Sequence, residues 1–242
     1  MFTNTYTETR RSFDSGLRLY FLAVYNYIAL ALAITGVFAY ASLNFAPLAR
    51  IIYQMSPGGQ IFGLSGIGYL CMFAPVLLSF YLFASVANME LRKAQTLFLG
   101  YSGLMGISLS SLGLMYTGTS LVKTFFICSS AFAGMSIYGY STNKDLTSMG
   151  SFVTMGLIGI VITSVINLFM QSSAIYFATS FLGIFIFMGL IAWDTQKLKV
   201  IYYQTGGGEQ GQKMAVLGAL TLYLDFINLF IYMLRFFGSR RD

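Results

Sequence analysis

Seven apolar stretches, each long enough to cross a bilayer, dominate this 242-residue sequence. They run roughly over Leu19–Leu43, Phe62–Ala87, Thr96–Tyr116, Val122–Tyr140, Phe152–Met170, Ile175–Trp193 and Met214–Phe237. A helix needs about 20 apolar residues to span hydrocarbon. Only helices and closed barrels satisfy their backbone there, and the ten-residue alternating segments of a barrel are absent. Charged residues make up 9% of the chain, against about 25% in a typical soluble domain. The sequence therefore predicts an all-α integral membrane protein, a seven-transmembrane-helix bundle over residues 19–238. A polar segment, Met1–Arg18, precedes it, and a short basic tail, residues 239–242, follows it. Pro47, Pro57, Gly58 and Gly59 mark the first connection, and Gly206–Gly208 lies in the last. Pro75 falls inside the second span, where it reads as a tolerated kink or as part of a moving gate.

The net charge of +6 comes from Lys and Arg scattered at span ends. That is an orientation signal, and it implies a lipid bilayer as partner rather than nucleic acid. With the N-terminus in the cytoplasm, the inner side holds Arg10, Arg11, Arg18, Arg92, Lys93, Lys144, Lys197, Lys199 and Lys213. The outer side holds Arg50, Lys123, Arg235, Arg240 and Arg241. Cationic residues concentrate inside, so a cytoplasmic N-terminus is expected. Cys71 and Cys128 lie in apolar runs and read as small packing residues. Histidine is absent, which removes the commonest metal ligand and the usual near-neutral switch. In the third span Ser102, Gly106 and Ser110 recur every four residues, a face suited to close helix approach.

Acidic residues are scarce, 8 in all, and two of them sit in or against apolar runs. Asp194 closes the sixth run and Asp225 lies inside the seventh. An ionisable group within a span costs about 2.5–3.5 kcal/mol on insertion scales, so it faces protein or water and marks function by default. Thr221, Asp225, Asn228 and Tyr232 fall at i, i+4, i+7 and i+11, one stripe of a helix whose other faces are apolar. That places the C-terminal helix centrally, its polar side toward protein or water. Should the two acids meet, a pair about 4 Å apart would repel by about 4 kcal/mol at an effective dielectric of 20. Such a pair favours sharing one proton and titrates as a unit, a latch that opens as the pH rises. It could also hold calcium weakly: two carboxylates supply at most four of the about 6–8 oxygens that calcium takes. Thr221, Asn228, water or backbone would complete the shell, and Tyr232 could line the same path. The competing reading has Asp194 paired with Lys197 at a helix end and Asp225 as a protonated hydrogen-bonder.

The string Leu222-Tyr-Leu-Asp-Phe-Ile-Asn-Leu-Phe, continued by Leu234-Arg-Phe-Phe-Gly238, closely resembles the Bax inhibitor-1 family, also called the transmembrane Bax inhibitor motif family. Ala192-Trp-Asp-Thr-Gln-Lys-Leu-Lys199, Gly100–Ser111 and Tyr138–Leu146 extend the likeness, which resembles the bacterial members and covers most of the chain after about residue 90. The resemblance implies a seven-helix bundle with the last helix central and a pH-sensitive calcium leak. It also implies an aspartate-pair sensor on Asp194 and Asp225. Eukaryotic members are similar proteins reported to suppress cell death, and some bacterial relatives modulate a membrane-bound AAA protease. In one calcium-leak relative a glutamate and an arginine of the second span are linked to the gate. Their positions fall near Ser79 and Glu90 here, so neither charge is kept.

These readings lead to one expectation: a pH-sensitive calcium (cation) leak channel in a bacterial inner membrane, without a resident cofactor. The alternative is a membrane-embedded regulator gripping a protease or other partner through Met1–Arg18. An enzyme is not expected. The chain has no nucleophile–base pair or ligand cluster, and Gly206–Gly208 lacks the Gly-Lys-Ser/Thr of a phosphate loop.

Overall fold

A computed structural model describes residues 2–56 and 58–241, with side chains described from residue 15 onward. It is a helical membrane bundle with seven helices, among the described residues, long and apolar enough to span. The elements are α1 (Phe2–Asn44), α2 (Ala46–Ile52), β1 (Tyr53–Met55), β2 (Ile61–Leu64), α3 (Gly66–Ser85), α4 (Leu91–Leu109), α5 (Leu112–Met115), α6 (Gly118–Ser141), α7 (Thr147–Met170), α8 (Ser173–Thr205) and α9 (Glu209–Phe237). The spanning segments are Ser15–Asn44, Gly66–Asn88, Leu91–Met115, Gly118–Ser141, Thr147–Met170, Ser173–Thr205 and Glu209–Phe237. The last is the most buried, 61% of its apolar window lying inside the protein. The polar N-terminal segment does not form a separate element, because α1 is helical from Phe2.

The chain divides into two compact units. The first comprises Met1–Leu114 with Ile201–Leu220. Here α1 packs along α4, and the small-residue stripe of α4 is the contact face. A Cβ on Gly106 would lie 2.4 Å from the Thr35 carbonyl, so only glycine admits this approach. Thr35 Oγ1 donates to Ala31 O at 2.8 Å and to Ser102 O at 2.9 Å, tying α1 to α4 across the seam. Ser110 and the Tyr53 hydroxyl are 2.6 Å apart. Burial pushes the Tyr53 phenol above its ordinary range, while the Ser110 bond works in the opposite sense. The first connection holds a helix and an antiparallel hairpin, which the sequence reading left as loop. Tyr53 pairs with Leu64 and Gln54 with Gly63, and Gly59 turns at φ +82. Ser65 caps α3, accepting from Gly68 N at 3.0 Å, and α3 runs through Pro75 as one helix.

The second unit comprises Met115–Val200 with Thr221–Asp242. Phe226 of α9 sits edge-on between Phe125 and Phe132 of α6, and Cys128 Sγ reaches Phe226 O at 3.7 Å. Cys71 and Cys128 are both free thiols. Beyond α9 the tail turns back to the segment before α6. Thr117 N donates to Ser239 O at 3.1 Å, Arg241 N to Met115 O at 3.0 Å, and Ser239 N to Ser120 Oγ at 2.9 Å. The Arg240 guanidinium rests beside the Tyr116 and Tyr176 hydroxyls and over the Tyr176 ring.

Candidate functional site

Asp194 is carried by α8 and Asp225 by α9, both within the second unit. Hydropathy places the end of the sixth span at Trp193, but α8 continues to Thr205. The reason is periodic burial beyond the apolar run: Ile191, Thr195, Leu198 and Tyr202 recur at helical spacing and are all buried. Asp194 therefore lies eleven residues, or about 16 Å, before the end of its helix rather than at it. Asp225 lies sixteen residues, about 24 Å, into α9. Both carboxyls are buried, 8% and 7% exposed.

The two acids meet. The Asp225 carboxyl lies close enough to that of Asp194 for the two to interact, and Lys197 acts on it with the opposite sign of charge. Oδ2 of Asp225 is buried without a hydrogen-bond partner. Asp194 Oδ1 is held by Lys197 Nζ at 2.9 Å. Lys197 is half-exposed, and its ammonium also lies 4.2 Å from the centre of the Trp193 ring. The cluster thus holds two carboxyls and one ammonium. Among the described residues no group of three or more Cys, Asp or Glu gathers in metal-binding proximity.

The rest of the polar stripe divides its work. Asn228 Nδ2 donates to Leu224 O at 2.8 Å, one turn back on its own helix, a bond that leaves the amide oxygen unused. Thr221 is half-buried on the same face. Tyr232 stacks on Phe187 with ring centres 5.6 Å apart, and its ring fills the space a side chain on Gly183 would take. Its hydroxyl interacts with Ser164 of α7. Tyr232 therefore braces α7, α8 and α9.

Two supporting groups escaped the sequence reading. Gln196 Oε1 accepts from Leu146 N at 2.9 Å while its Nε2 donates to Lys144 O at 2.8 Å, so two residues beyond Asp194 α8 is clamped to the α6–α7 connection. Gln196 lies inside the string Trp193-Asp-Thr-Gln-Lys, which was the available signal. The Trp193 ring packs on the α7 backbone: a Cβ on Gly150 would come within 2.2 Å of it. In the same connection Asp145 Oδ1 accepts from Thr147 N at 2.9 Å and Thr147 Oγ1 at 2.6 Å, closing the start of α7. Those two bonds hold the exposed Asp145 carboxyl below its ordinary range.

A buried acid pair at mid-span, on helices of this order, invites comparison with known proteins. The family model described as "Inhibitor of apoptosis-promoting Bax1" matches residues 17–242. The chain belongs to the Bax inhibitor-1 family. Within it, an uncharacterized protein of Rickettsia prowazekii is 54% identical over 240 residues, covering 99% of this chain and 98% of that protein. An uncharacterized protein of Caulobacter vibrioides is 42% identical, covering 96% and 92%. Inner membrane protein YbhL of Escherichia coli is 38% identical, covering 94% of each chain. Bax inhibitor-1 membership extends over α1 to α9, well beyond the stretch after residue 90 that carries the recognisable motifs.

Proposed function

We propose that this Bax inhibitor-1 family member is a pH-sensitive cation leak, suited to calcium, in a bacterial inner membrane, with Asp194 and Asp225 as its latch. One observation carries the reading: two acids, each more than nine-tenths buried, touch in the interior of apolar helices, with a carboxyl oxygen of Asp225 left unpartnered. With one proton shared, the pair holds α8 to α9. Loss of that proton at higher pH leaves two carboxylates facing one ammonium, and the surplus negative charge drives the helices apart. The freed oxygens then offer a hard cation a partial shell, with Asn228 Oδ1, Thr221 and water as further donors. Incomplete coordination favours passage over storage. The name of the relative YbhL supports the inner-membrane location. The test is calcium flux into liposomes bearing the purified protein, followed from pH 6 to pH 8. Wild-type flux rises with pH, and Asp225→Asn flattens the dependence. A variant that keeps the wild-type pH profile removes the latch from consideration.

The second reading is a regulator that binds a membrane protease. It is favoured by α1 continuing as helix from Phe2 to the span start at Ser15, a handle of about 20 Å. Deleting residues 2–14 then abolishes co-purification with the protease and leaves flux intact.

A further inference from the structure

Within the second unit, the seam between α8 and α9 carries two pairs of facing side chains at a common spacing. The first pair is Asp194 and Asp225. Seven residues before Asp194 on α8 stands Phe187, and seven residues after Asp225 on α9 stands Tyr232. Seven residues are close to two helical turns, so each ring shares a face with its acid and lies about 10 Å along it. The helices run in opposite directions, so both offsets point the same way, toward the end where α9 finishes. With the N-terminus in the cytoplasm and seven spans, that end is the outer one. The two rings meet there, stacked with centres 5.6 Å apart and planes 25° from parallel.

The stack is held from three sides. Phe187 is buried and covers one face of the Tyr232 ring. The α8 backbone presses on the same ring, since a Cβ on Gly183 would come within 2.6 Å of it, and the hydroxyl interacts with Ser164 of α7. Rings in stacking contact leave no passage between them, and a constriction of this kind closes a polar path. Beyond the rings polar groups resume. Thr179 and Ser180 are buried on α8, and Arg235 is exposed on α9, three residues past Tyr232. The Arg235 guanidinium carbon lies 5.3 Å from the centre of the Tyr232 ring and 5.7 Å from that of Tyr176. That of Arg240 lies 5.8 Å from the same Tyr176 ring, so two guanidiniums gather at the outer edge of the stack. A cation arriving from this side meets the Arg235 charge before it meets the rings, and a divalent ion is repelled twice as strongly as a monovalent one.

We propose that the Phe187–Tyr232 stack and Arg235 form an outer gate of the cation path, in series with the acid latch. The rings bar the seam, and Arg235 limits how fast divalent cations enter it. The inference rests on the leak reading given above and assigns that path two residues with different tasks, one steric and one electrostatic. Because a single seam carries both pairs, a separation of α8 from α9 that begins at the acids also parts the rings. Asn228, three residues past Asp225 and four before Tyr232, lies between latch and gate.

Thiol accessibility tests the gate apart from flux. Asn228→Cys is introduced into the full chain with Cys71 and Cys128, its only cysteines, replaced by alanine. A cationic, membrane-impermeant methanethiosulfonate added at the outer face reacts slowly with this thiol. Tyr232→Ala raises that rate at least tenfold, whereas Tyr232→Phe, which keeps the ring, does not. With Asn228 intact, Tyr232→Ala raises calcium flux into liposomes at pH 8 at least threefold and leaves the shape of the pH profile unchanged, because the acids are untouched. Arg235→Gln, at an exposed position, raises calcium flux at least twofold at low salt. The gain vanishes near 1 M salt, where screening shortens to about 3 Å, and Arg235→Lys shows none. Should Tyr232→Ala fail to fold, the salt dependence of Arg235→Gln decides. A wild type without flux removes the leak reading and the gate with it. Flux that keeps its pH dependence while Tyr232→Ala leaves the thiol rate unchanged overturns the gate alone, as does an Arg235→Gln flux equal to wild type at low salt.

Discussion

Lys197 is the side chain through which the acid pair meets water. It holds Asp194 at 2.9 Å, lies over the Trp193 ring, and acts on Asp225 by charge. Lys197→Gln removes the ion pair to Asp194 and should change the pH profile of calcium flux, and Lys197→Arg should restore it; a profile unmoved in Lys197→Gln would mean that the ammonium is decorative. Asp145 supplies a control. Its carboxyl is held below the ordinary value of about 3.9 by two bonds from Thr147, so its contribution is complete above that value and fades only as the pH falls through its lower folded value. Asp145→Ala should therefore lower the melting temperature modestly and by the same amount at pH 6 and pH 8. The acids themselves were legible in the sequence because a carboxylate stands out against an apolar run. Lys197 was legible only as a rival partner of Asp194, and Gln196 only as a letter of the string around Trp193, since the loop its amide clamps must first fold against it.

The elements were read from hydropathy, and hydropathy sees the hydrocarbon core of a helix rather than its ends. Six spans came out within about five residues at each end; the sixth was short by twelve, because Thr195, Leu198 and Tyr202 bury against protein within a polar stretch. The hairpin of the first connection was missed for a different reason. Strands of three and four residues are too short to show alternation. The α4 stripe shows the opposite case, a packing face visible from spacing alone. Gly106→Ala would set a methyl against the Thr35 carbonyl and should cost about 1–3 kcal/mol, measured by thermal unfolding in detergent. A stability equal to wild type would show that α1 can retreat from α4 freely.

At the scale of the molecule, the polar chemistry is divided between the two units. The second holds the acid pair, its lysine and the braced Tyr232; the first holds the α1–α4 seam. Both belong to a single family match from residue 17 to the end, so the division is a property of the fold rather than of two joined proteins. The docked tail has a practical side. Residues 239–241 are stitched by three backbone donors to the segment that starts α6, and Gly238 has no room for a side chain against Tyr116. A fluorescent reporter or affinity handle spliced after Asp242 would tug on those stitches, and any phenotype of such a fusion would mix the label with the protein.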